Sequence, residues 1–300
     1  MWEPDPSWRQ LPGAGGPSTE GVWVADADGQ RWVVKRLAAP RERLNSLTQP
    51  GGAGYWRREA EVARDASSVD GPGLVPPVFG AVEEDDEGVT LWTREEAGEP
   101  PTGLFVAQAL GRFAGASHAT PGWASRGLLA DRLAMTEERG GWRTLARTTL
   151  ADVSDLLWRR RGHWLERCAQ GPEGRLHGDA VPSNFLSRRG EDVVAVDWQC
   201  FGVGPVGSDL GYFALSSREE FDVLLDAFLD GVGPGVDREA IALAARVTAV
   251  YTVLSRAEWA LAQAARGDGA LAGKFRHPAV APHLRALQRQ FPQIERLVEV

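Results

Sequence analysis

The segment H-G-D-x-x-x-x-N, from His177 to Asn184, contains residue types that suit phosphoryl transfer. Its carboxylate is Asp179, and a second one, Asp197, comes thirteen residues after Asn184, at the end of the apolar run VVAV. Transfer of a phosphoryl group to a hydroxyl needs one carboxylate that accepts the hydroxyl proton. It also needs oxygen ligands that hold Mg²⁺ against the nucleotide phosphates, and an amide and a carboxylate supply them. The residue set therefore indicates metal-assisted phosphoryl transfer.

A β-hairpin explains how the distant members of this set meet. Two short runs, Asn184–Ser187 and Val193–Asp197, flank the turn sequence RRGED, which is typical of two antiparallel strands. Pairing of these strands places Asn184 and Asp197 side by side. The sequence thus predicts one metal site at the open end of the hairpin.

The residues after Asp197 extend the pattern. The segment VDWQCFGVGPVGSDL carries two glycines, a proline and Asp209 in a defined order, and chance or packing alone is a poor account of both halves together. The two halves resemble the hallmarks HGDxxxxN and (V/I)DWxxxGxGPxxxDL of the aminoglycoside phosphotransferase and choline kinase family, whose fold is like that of protein kinases. The resemblance extends from about Gly13 to Arg266.

The resemblance implies a role for each motif residue. Asp179 would be the catalytic base, and Asn184 and Asp197 would be the magnesium ligands. Asp209 would be a structural carboxylate that braces the catalytic loop. His177 is expected to be a buried histidine, hydrogen-bonded to the backbone of that loop. The implied co-substrate is ATP or GTP, and the implied cofactor is Mg²⁺.

The nucleotide side is expected upstream. Lys35, at the end of the strand RWVVKRL, resembles the lysine that binds the α- and β-phosphates. Its partner would be Glu59 in the helix YWRREAEVAR, with Glu61 as the alternative because the register of a helix is uncertain by a residue or two. The loop GAGGPSTEG, residues 13–21, resembles the family's phosphate-covering loop, in which small residues let backbone N–H groups approach anionic oxygens. Ser18 is its candidate residue.

The segment REEAGEPP looks like the hinge between two lobes, because it follows the strand VTLWT. The adenine edge is expected to bind backbone groups there, at Arg94 and Glu96. Their side chains need not take part, since peptide N–H and C=O groups make such hydrogen bonds.

Three departures from protein kinases argue against a protein substrate. Gly178 replaces the arginine that holds a phosphorylated activation loop. Only eleven residues separate Asp197 from Asp209, and no A-P-E motif follows. Trp198 replaces the Phe of D-F-G, as the resemblance expects. The partner is therefore expected to be a small molecule that bears a hydroxyl group.

The acceptor is expected between the catalytic loop and the C-terminal helices. A carboxylate beside an indole would suit an amine or a sugar. Acidic residues on helices are mostly solvated, however, and tryptophan more often packs than binds. On this basis the candidate substrate residues are Asp131, Glu219, Glu220, Glu258 and Trp259.

The elements that must position these residues change character along the chain. Alternating runs at Val22–Ala25 and Arg31–Leu37 predict strands, and residues 55–68 predict a helix. Later apolar residues recur at three- and four-residue spacing, which predicts helices at Leu104–Ser117, Leu145–Cys168, Glu219–Leu229 and Arg238–Arg266. We expect an α+β, bilobal protein-kinase-like fold, with a β-rich nucleotide-binding lobe at 1–96 and a mainly helical catalytic lobe at 97–300.

Composition excludes several other classes. The formal net charge of −8 over 300 residues disfavours nucleic acid as a partner. Cys168 and Cys200 lack metal-ligand spacing and provide no disulfide framework, so a cytoplasmic location is expected. No apolar run suits a signal peptide, and Arg246, Arg256 and Glu258 interrupt the longest helical candidate, which argues against a membrane span.

These observations favour a small-molecule O-phosphotransferase, similar to the antibiotic-inactivating aminoglycoside phosphotransferases. A metabolic kinase of a sugar, an amino alcohol or a nucleoside would share the same motifs, so that alternative stays open. A kinase-like binding protein without activity is a third hypothesis. Its mark would be the loss of Asp179, Asn184, Asp197 or Lys35, and all four are present. The oligomeric state is not readable from the sequence.

Overall fold

The computed structural model describes residues 2–12, 18–40, 48–117, 119–265 and 278–299. The first strands are β1 Arg9–Gln10, β2 Thr19–Ala27, β3 Gln30–Ala38, β4 Leu74–Val75, β5 Phe79–Glu84 and β6 Gly88–Arg94. All but β4 form one antiparallel sheet in the order β1-β2-β3-β6-β5. Both predicted strands lie in this sheet, β3 at its centre. This sheet carries Lys35, which pairs with Leu91 of β6.

One helix, α1 Arg58–Arg64, packs on this sheet. Its buried Ala60 joins Leu37 and Leu91 in a small apolar cluster. The helix is shorter than the predicted range of 55–68, because Asp65 leaves helical geometry with φ −137° and ψ 79°. Burial of one helix face holds the position of Glu59 relative to β3.

The rest of the chain is mainly helical, so the predicted α+β class, with a β-rich N-terminal region and a helical C-terminal part, is confirmed. Its helices are α2 Gly103–Gly115, α3 Leu128–Glu138, α4 Ala151–Ala169, α5 Ser208–Phe213, α6 Phe221–Val232, α7 Arg238–Ala265, α8 Ala281–Arg289 and α9 Phe291–Val298. The predicted helix Leu145–Cys168 is wrong at its start: residues 145–147 form a separate 3₁₀ turn that ends at the extended Thr148. The boundary at residue 96 stays a prediction.

Two small sheets hold the catalytic segments. Their strands are β7 Ser125–Arg126, β8 Glu173–Leu176, β9 Phe185–Arg189, β10 Asp192–Ala195 and β11 Gly202–Pro205. The sheet orders are β4-β10-β9 and β7-β11-β8. The predicted hairpin is present as the antiparallel pair β9–β10. Strands β8 and β11 were not predicted, since they are short and rich in glycine.

The helix α7 is the core of the helical part. Among the described residues it is the one helix long and apolar enough to cross a membrane, yet 72% of its most apolar window is buried inside the fold. The helix α5 packs closely on it. A Cβ at Gly211 would lie 2.1 Å from the backbone oxygen of Ala245, so glycine is required at this crossing. This packing fixes α5 and its Asp209.

Candidate active site

The catalytic loop begins where β8 ends, and Asp209 holds its first two residues. The Asp209 carboxylate accepts hydrogen bonds from the backbone N–H groups of His177, at 2.6 Å, and of Gly178, at 2.9 Å. Burial raises the pKa of Asp209, while the two N–H donors act in the opposite direction. These are the contacts expected of a residue that braces the loop.

The backbone of the loop demands glycine at position 178. Gly178 has φ +81°, and a Cβ there would lie 2.1 Å from the carbonyl oxygen of Cys200. The neighbouring His177 is fully buried, with its Nε2 atom 2.9 Å from the carbonyl oxygen of Val196. Its ring centroid lies 4.7 Å from that of Trp198. The loop is thereby tied to the strand that leads to Asp197.

Asp179 and Asn184 contact each other directly. The Asn184 Nδ2 atom donates to the Asp179 backbone oxygen at 2.9 Å and to its Oδ2 atom at 3.3 Å. The backbone oxygen of Asn184 accepts a hydrogen bond from Val196 N at 2.9 Å, across the hairpin. Asp197 then adopts a left-handed conformation, with φ 62° and ψ 57°. These contacts bring the three motif residues to one end of the hairpin.

Lys35 joins the sheet to this end of the hairpin. Its Nζ atom lies 2.6 Å from Glu59 Oε2 and 2.9 Å from Asp197 Oδ1. Burial alone would lower the pKa of Lys35, but the two carboxylates raise it, so the ammonium stays charged. Glu61 instead faces Arg64 at 3.4 Å. Of the two alternatives, Glu59 is the partner of Lys35.

The oxygen atoms at this end of the hairpin fit a divalent cation. Within the described residues, Asn184 Oδ1 and Asp197 Oδ2 accept no hydrogen bond. An amide oxygen and a carboxylate oxygen belong to the donor set that Mg²⁺ prefers, with phosphate and water oxygens completing it. The described part of the chain contains no group of three or more His, Cys, Asp or Glu residues able to bind a metal. Asn184 and Asp197 would therefore bind Mg²⁺ together with the nucleotide.

The other residues predicted for the nucleotide side have definite contacts. Ser18 is buried, and its Oγ accepts a hydrogen bond from Gln199 Nε2 at 3.4 Å; the preceding residues 13–17 of the predicted loop lie outside the described residues. The N–H of Arg94 donates to Val78 O at 2.9 Å. The Glu96 carboxylate accepts from Ser187 Oγ at 2.7 Å. The Glu96 side chain thus connects the hinge to β9.

Of the five predicted substrate residues, two accept hydrogen bonds from other residues of the chain, one precedes a helix and one is exposed on α7. Asp131 accepts from the backbone N–H of Ala53 at 2.8 Å. Glu219 accepts from Arg218 N at 3.1 Å and from the hydroxyl of Ser217. The remaining two are Glu220, which precedes α6 as its N-cap, and Trp259, which is 53% exposed and meets the His283 ring edge-on at 6.1 Å.

Glu258 has a structural contact. Its side chain is buried, with an exposed fraction of 7%. Its carboxylate accepts hydrogen bonds from the backbone N–H groups of Thr144, at 2.9 Å, and of Leu145, at 2.7 Å. These bonds satisfy the free N–H groups at the start of the 3₁₀ turn. The structure does not bring the five predicted substrate residues together beside Asp179.

The sequence did not indicate the side chains that lie near Asp179, the predicted base. Tyr212 lies near Asp179: burial raises the pKa of Tyr212, and the negative charge of Asp179 raises it further. The Arg132 guanidinium lies 4.8 Å from the Tyr212 ring and donates to Gly178 O at 2.7 Å. Arg256 also lies over this ring, at 4.4 Å. One signal was available: Tyr212 is three residues after Asp209 on α5, and such residues share a helix face.

Arg58 is a second missed residue. Fully buried on α1, it donates to the carbonyl oxygens of Trp123, at 3.0 Å, and Gln199, at 2.6 Å. Burial lowers the pKa of Arg58 to about 10. Its bonds connect the helix that carries Glu59 to the segment that follows Asp197.

Comparison with known proteins agrees with this geometry. The sequence profile of a family described as "Phosphotransferase enzyme family" matches residues 10–244. A search of curated proteins found no match. Among solved structures, a choline/ethanolamine kinase family protein from Mesorhizobium loti is similar, with a TM-score of 0.57 and 20% identity over 94% of this chain and 92% of that one.

Two ligand-bound structures are also similar in fold. One is an amicoumacin kinase in complex with AMP-PNP, Ca²⁺ and Ami, with a TM-score of 0.60 and 14% identity over 97% of this chain and 89% of that one. The other is an aminoglycoside phosphotransferase from Streptomyces rimosus in complex with ADP and streptomycin. Its TM-score is 0.55, with 17% identity over 82% of this chain and 94% of that one.

Proposed function

This chain belongs to the phosphotransferase enzyme family, and we propose that it transfers the γ-phosphoryl group of ATP or GTP to a hydroxyl group of a small molecule. One observation carries the proposal. Lys35 Nζ lies between Glu59 and Asp197, at 2.6 Å and 2.9 Å, so segments 162 residues apart in sequence form one charged cluster beside the HGD loop.

In the proposed reaction Asp179 accepts the proton of the acceptor hydroxyl. The acceptor oxygen forms a bond to the γ-phosphorus, the bond from that phosphorus to the β–γ bridging oxygen breaks, and the nucleoside diphosphate leaves. The Asn184 amide, which donates to Asp179, holds the base in place. Lys35 binds the phosphates, and Glu59 orients Lys35. Mg²⁺, bound by Asn184 and Asp197, would neutralise phosphate charge.

A coupled assay of ADP or GDP release tests this proposal. The panel contains Mg²⁺, ATP and GTP with aminoglycosides, peptide and nucleoside antibiotics, macrolides, sugars and amino alcohols. We expect one acceptor class to stimulate release, and we expect the stimulation to vanish in Asp179→Asn. If calorimetry detects no nucleotide binding, the third hypothesis, a binding protein without kinase activity, replaces this proposal.

Two physiological roles are compatible with the proposed reaction. Inactivation of an antibiotic and phosphorylation of a metabolite use the same residues, and the similar folds include enzymes named for both kinds of acceptor. We propose the antibiotic role first, with a cytoplasmic location. Expression in a susceptible host is the test: a gain of resistance that Asp179→Asn abolishes supports this role, and unchanged susceptibility to every antibiotic that the enzyme phosphorylates contradicts it.

A further inference from the structure

The side chains beside Asp179, on the side of Tyr212, are cationic. Arg132 and Arg256 both lie over the Tyr212 ring, with guanidinium carbons 4.8 Å and 4.4 Å from its centroid. Burial alone would lower the pKa of Arg132, but Tyr212, Cys200 and Asp179 raise it, so this guanidinium stays charged. Tyr212 in turn interacts with Asp179. Both guanidinium groups therefore lie against the Tyr212 ring, and Arg132 also donates to the carbonyl oxygen of Gly178, the residue before Asp179.

Arg256 also faces an open groove of about 690 Å³. This groove runs between α7 and α8, and its charged or titratable lining consists of Arg256, His283, Arg285 and Arg289. Arg289 uses its guanidinium on two carbonyl oxygens, Ser217 O at 2.7 Å and Leu215 O at 2.6 Å, so its charge has no counter-ion there. In the described part of the chain no carboxylate lines the groove.

The charge of Arg256 is likewise uncompensated. Among the described residues it forms no ion pair and contacts the Tyr212 ring. Burial lowers the pKa of His283 on the facing helix, and the positive charge of Arg256 lowers it further. A planar guanidinium that is half-buried and faces a groove is the usual recognition group for carboxylate and phosphate oxygens.

The carboxylates that would suit a cationic acceptor are engaged elsewhere. Asp131 accepts from Ala53 N and Glu258 from the backbone at Thr144 and Leu145. Glu219 accepts from Ser217 and Arg218 N. An ammonium-rich molecule placed beside Tyr212 would therefore meet like charges, which cost binding energy.

We propose that the acceptor is an anion: a hydroxyl compound whose carboxylate or phosphate group binds Arg256 in the groove between α7 and α8 while its hydroxyl reaches Asp179. This inference rests on the proposed function and deepens it. It predicts that an acidic sugar binds better than a neutral or an amino sugar of the same shape.

Four probes of one shape test the charge preference: glucuronate, glucose 6-phosphate, glucose and glucosamine. Inorganic phosphate is the fifth probe. Each is titrated by calorimetry into protein saturated with Mg²⁺ and AMP-PNP, so that the nucleotide site is already filled. We expect at least one anion to bind with a Kd of about 1 mM or lower, and about ten- to hundredfold more tightly than glucosamine. A stronger response to glucuronate or to glucose 6-phosphate distinguishes a carboxylate from a phosphate acceptor.

Variants distinguish binding of the anion at a specific site from its general attraction to a positively charged surface. We expect Arg256→Gln to weaken anion binding about ten- to hundredfold and Arg256→Lys to weaken it less, with AMP-PNP binding unchanged in both. Arg159→Gln is the matched control, since exposed Arg159 pairs with Asp155 on α4. Absence of anion binding in the wild-type protein, equal binding in Arg256→Gln, or a preference for glucosamine would each overturn the inference. If the wild-type protein does not bind AMP-PNP, the proposed function itself is overturned.

Discussion

The two sides of Asp179 differ in how their charges are balanced. On the nucleotide side one cation, Lys35, lies between the carboxylates of Glu59 and Asp197. On the other side two cations, Arg132 and Arg256, share the Tyr212 ring, and no carboxylate salt bridge joins them among the described residues. In the first cluster carboxylates compensate the charge of the cation, whereas in the second cluster the positive charges are not compensated.

Under the proposed function, this difference separates the side that would perform the chemistry from the side that would select the acceptor. A compensated network holds its own geometry before any ligand binds, which is the preorganisation that phosphoryl transfer requires. An uncompensated guanidinium gains most when an anion replaces water around it, so its charge contributes to specificity. We therefore expect mutations on the first side to change the reaction itself, and mutations on the second side to change the choice of acceptor.

The largest effect is expected where the two sides meet. Asp179→Asn removes the proton acceptor but keeps the shape and a hydrogen bond from Asn184. Turnover with the acceptor that the release assay identifies should fall by about 10²–10⁴, while calorimetry should detect nearly unchanged binding of Mg²⁺ and ATP. Asp155→Asn, on the exposed surface of α4, is the control. Unchanged turnover in Asp179→Asn would remove this residue from the role of base.

A paired substitution on α1 sharpens the account of the nucleotide side. Glu59→Gln removes the carboxylate at 2.6 Å from Lys35, so kcat/KM for ATP should fall by about ten- to hundredfold. Glu61→Gln is matched in chemistry and lies on the same helix, but Glu61 faces Arg64, so kcat/KM should stay close to that of the wild type. Equal losses in the two variants would show that the pairing with Lys35 has no functional weight.

The smallest effect on activity is expected at Glu258, although it was a candidate for acceptor binding. Glu258→Gln replaces one of the two carboxylate oxygens that accept from the N–H groups of Thr144 and Leu145 by an NH₂ group, which cannot accept. Urea denaturation should detect a loss of about 1–3 kcal/mol in the free energy of unfolding, whereas KM for the acceptor should not change. Glu220→Gln, on a more exposed position, should leave both unchanged. A raised KM for the acceptor with an unchanged free energy of unfolding would instead indicate that Glu258 binds the acceptor.

The contacts around Lys35 and the HGD hairpin were largely predictable from the sequence, because their residues lie in motifs with defined spacing, while the nucleotide-binding role of these residues stays a prediction. The hairpin turn RRGED indicated that Asn184 and Asp197 meet across β9 and β10, and these strands are paired in the structure. The choice between Glu59 and Glu61 was not decided by sequence. It depends on how α1 is rotated on the sheet, and burial of Ala60 against Leu37 and Leu91 settles that rotation.

By itself the sequence determined the α+β class and the family resemblance, and it predicted roles for the HGD motif and Lys35, because local spacing and hydrophobic period carry that information. Only the tertiary structure decided which side chains lie beside Asp179 on the side of Tyr212. Arg132, Tyr212 and Arg256 lie on three different helices, α3, α5 and α7, and no sequence interval relates them. Which charges meet there depends on helix packing, such as the close contact of Gly211 with Ala245. A carboxylate that looked free in the sequence, Glu258, was instead needed to satisfy buried backbone N–H groups.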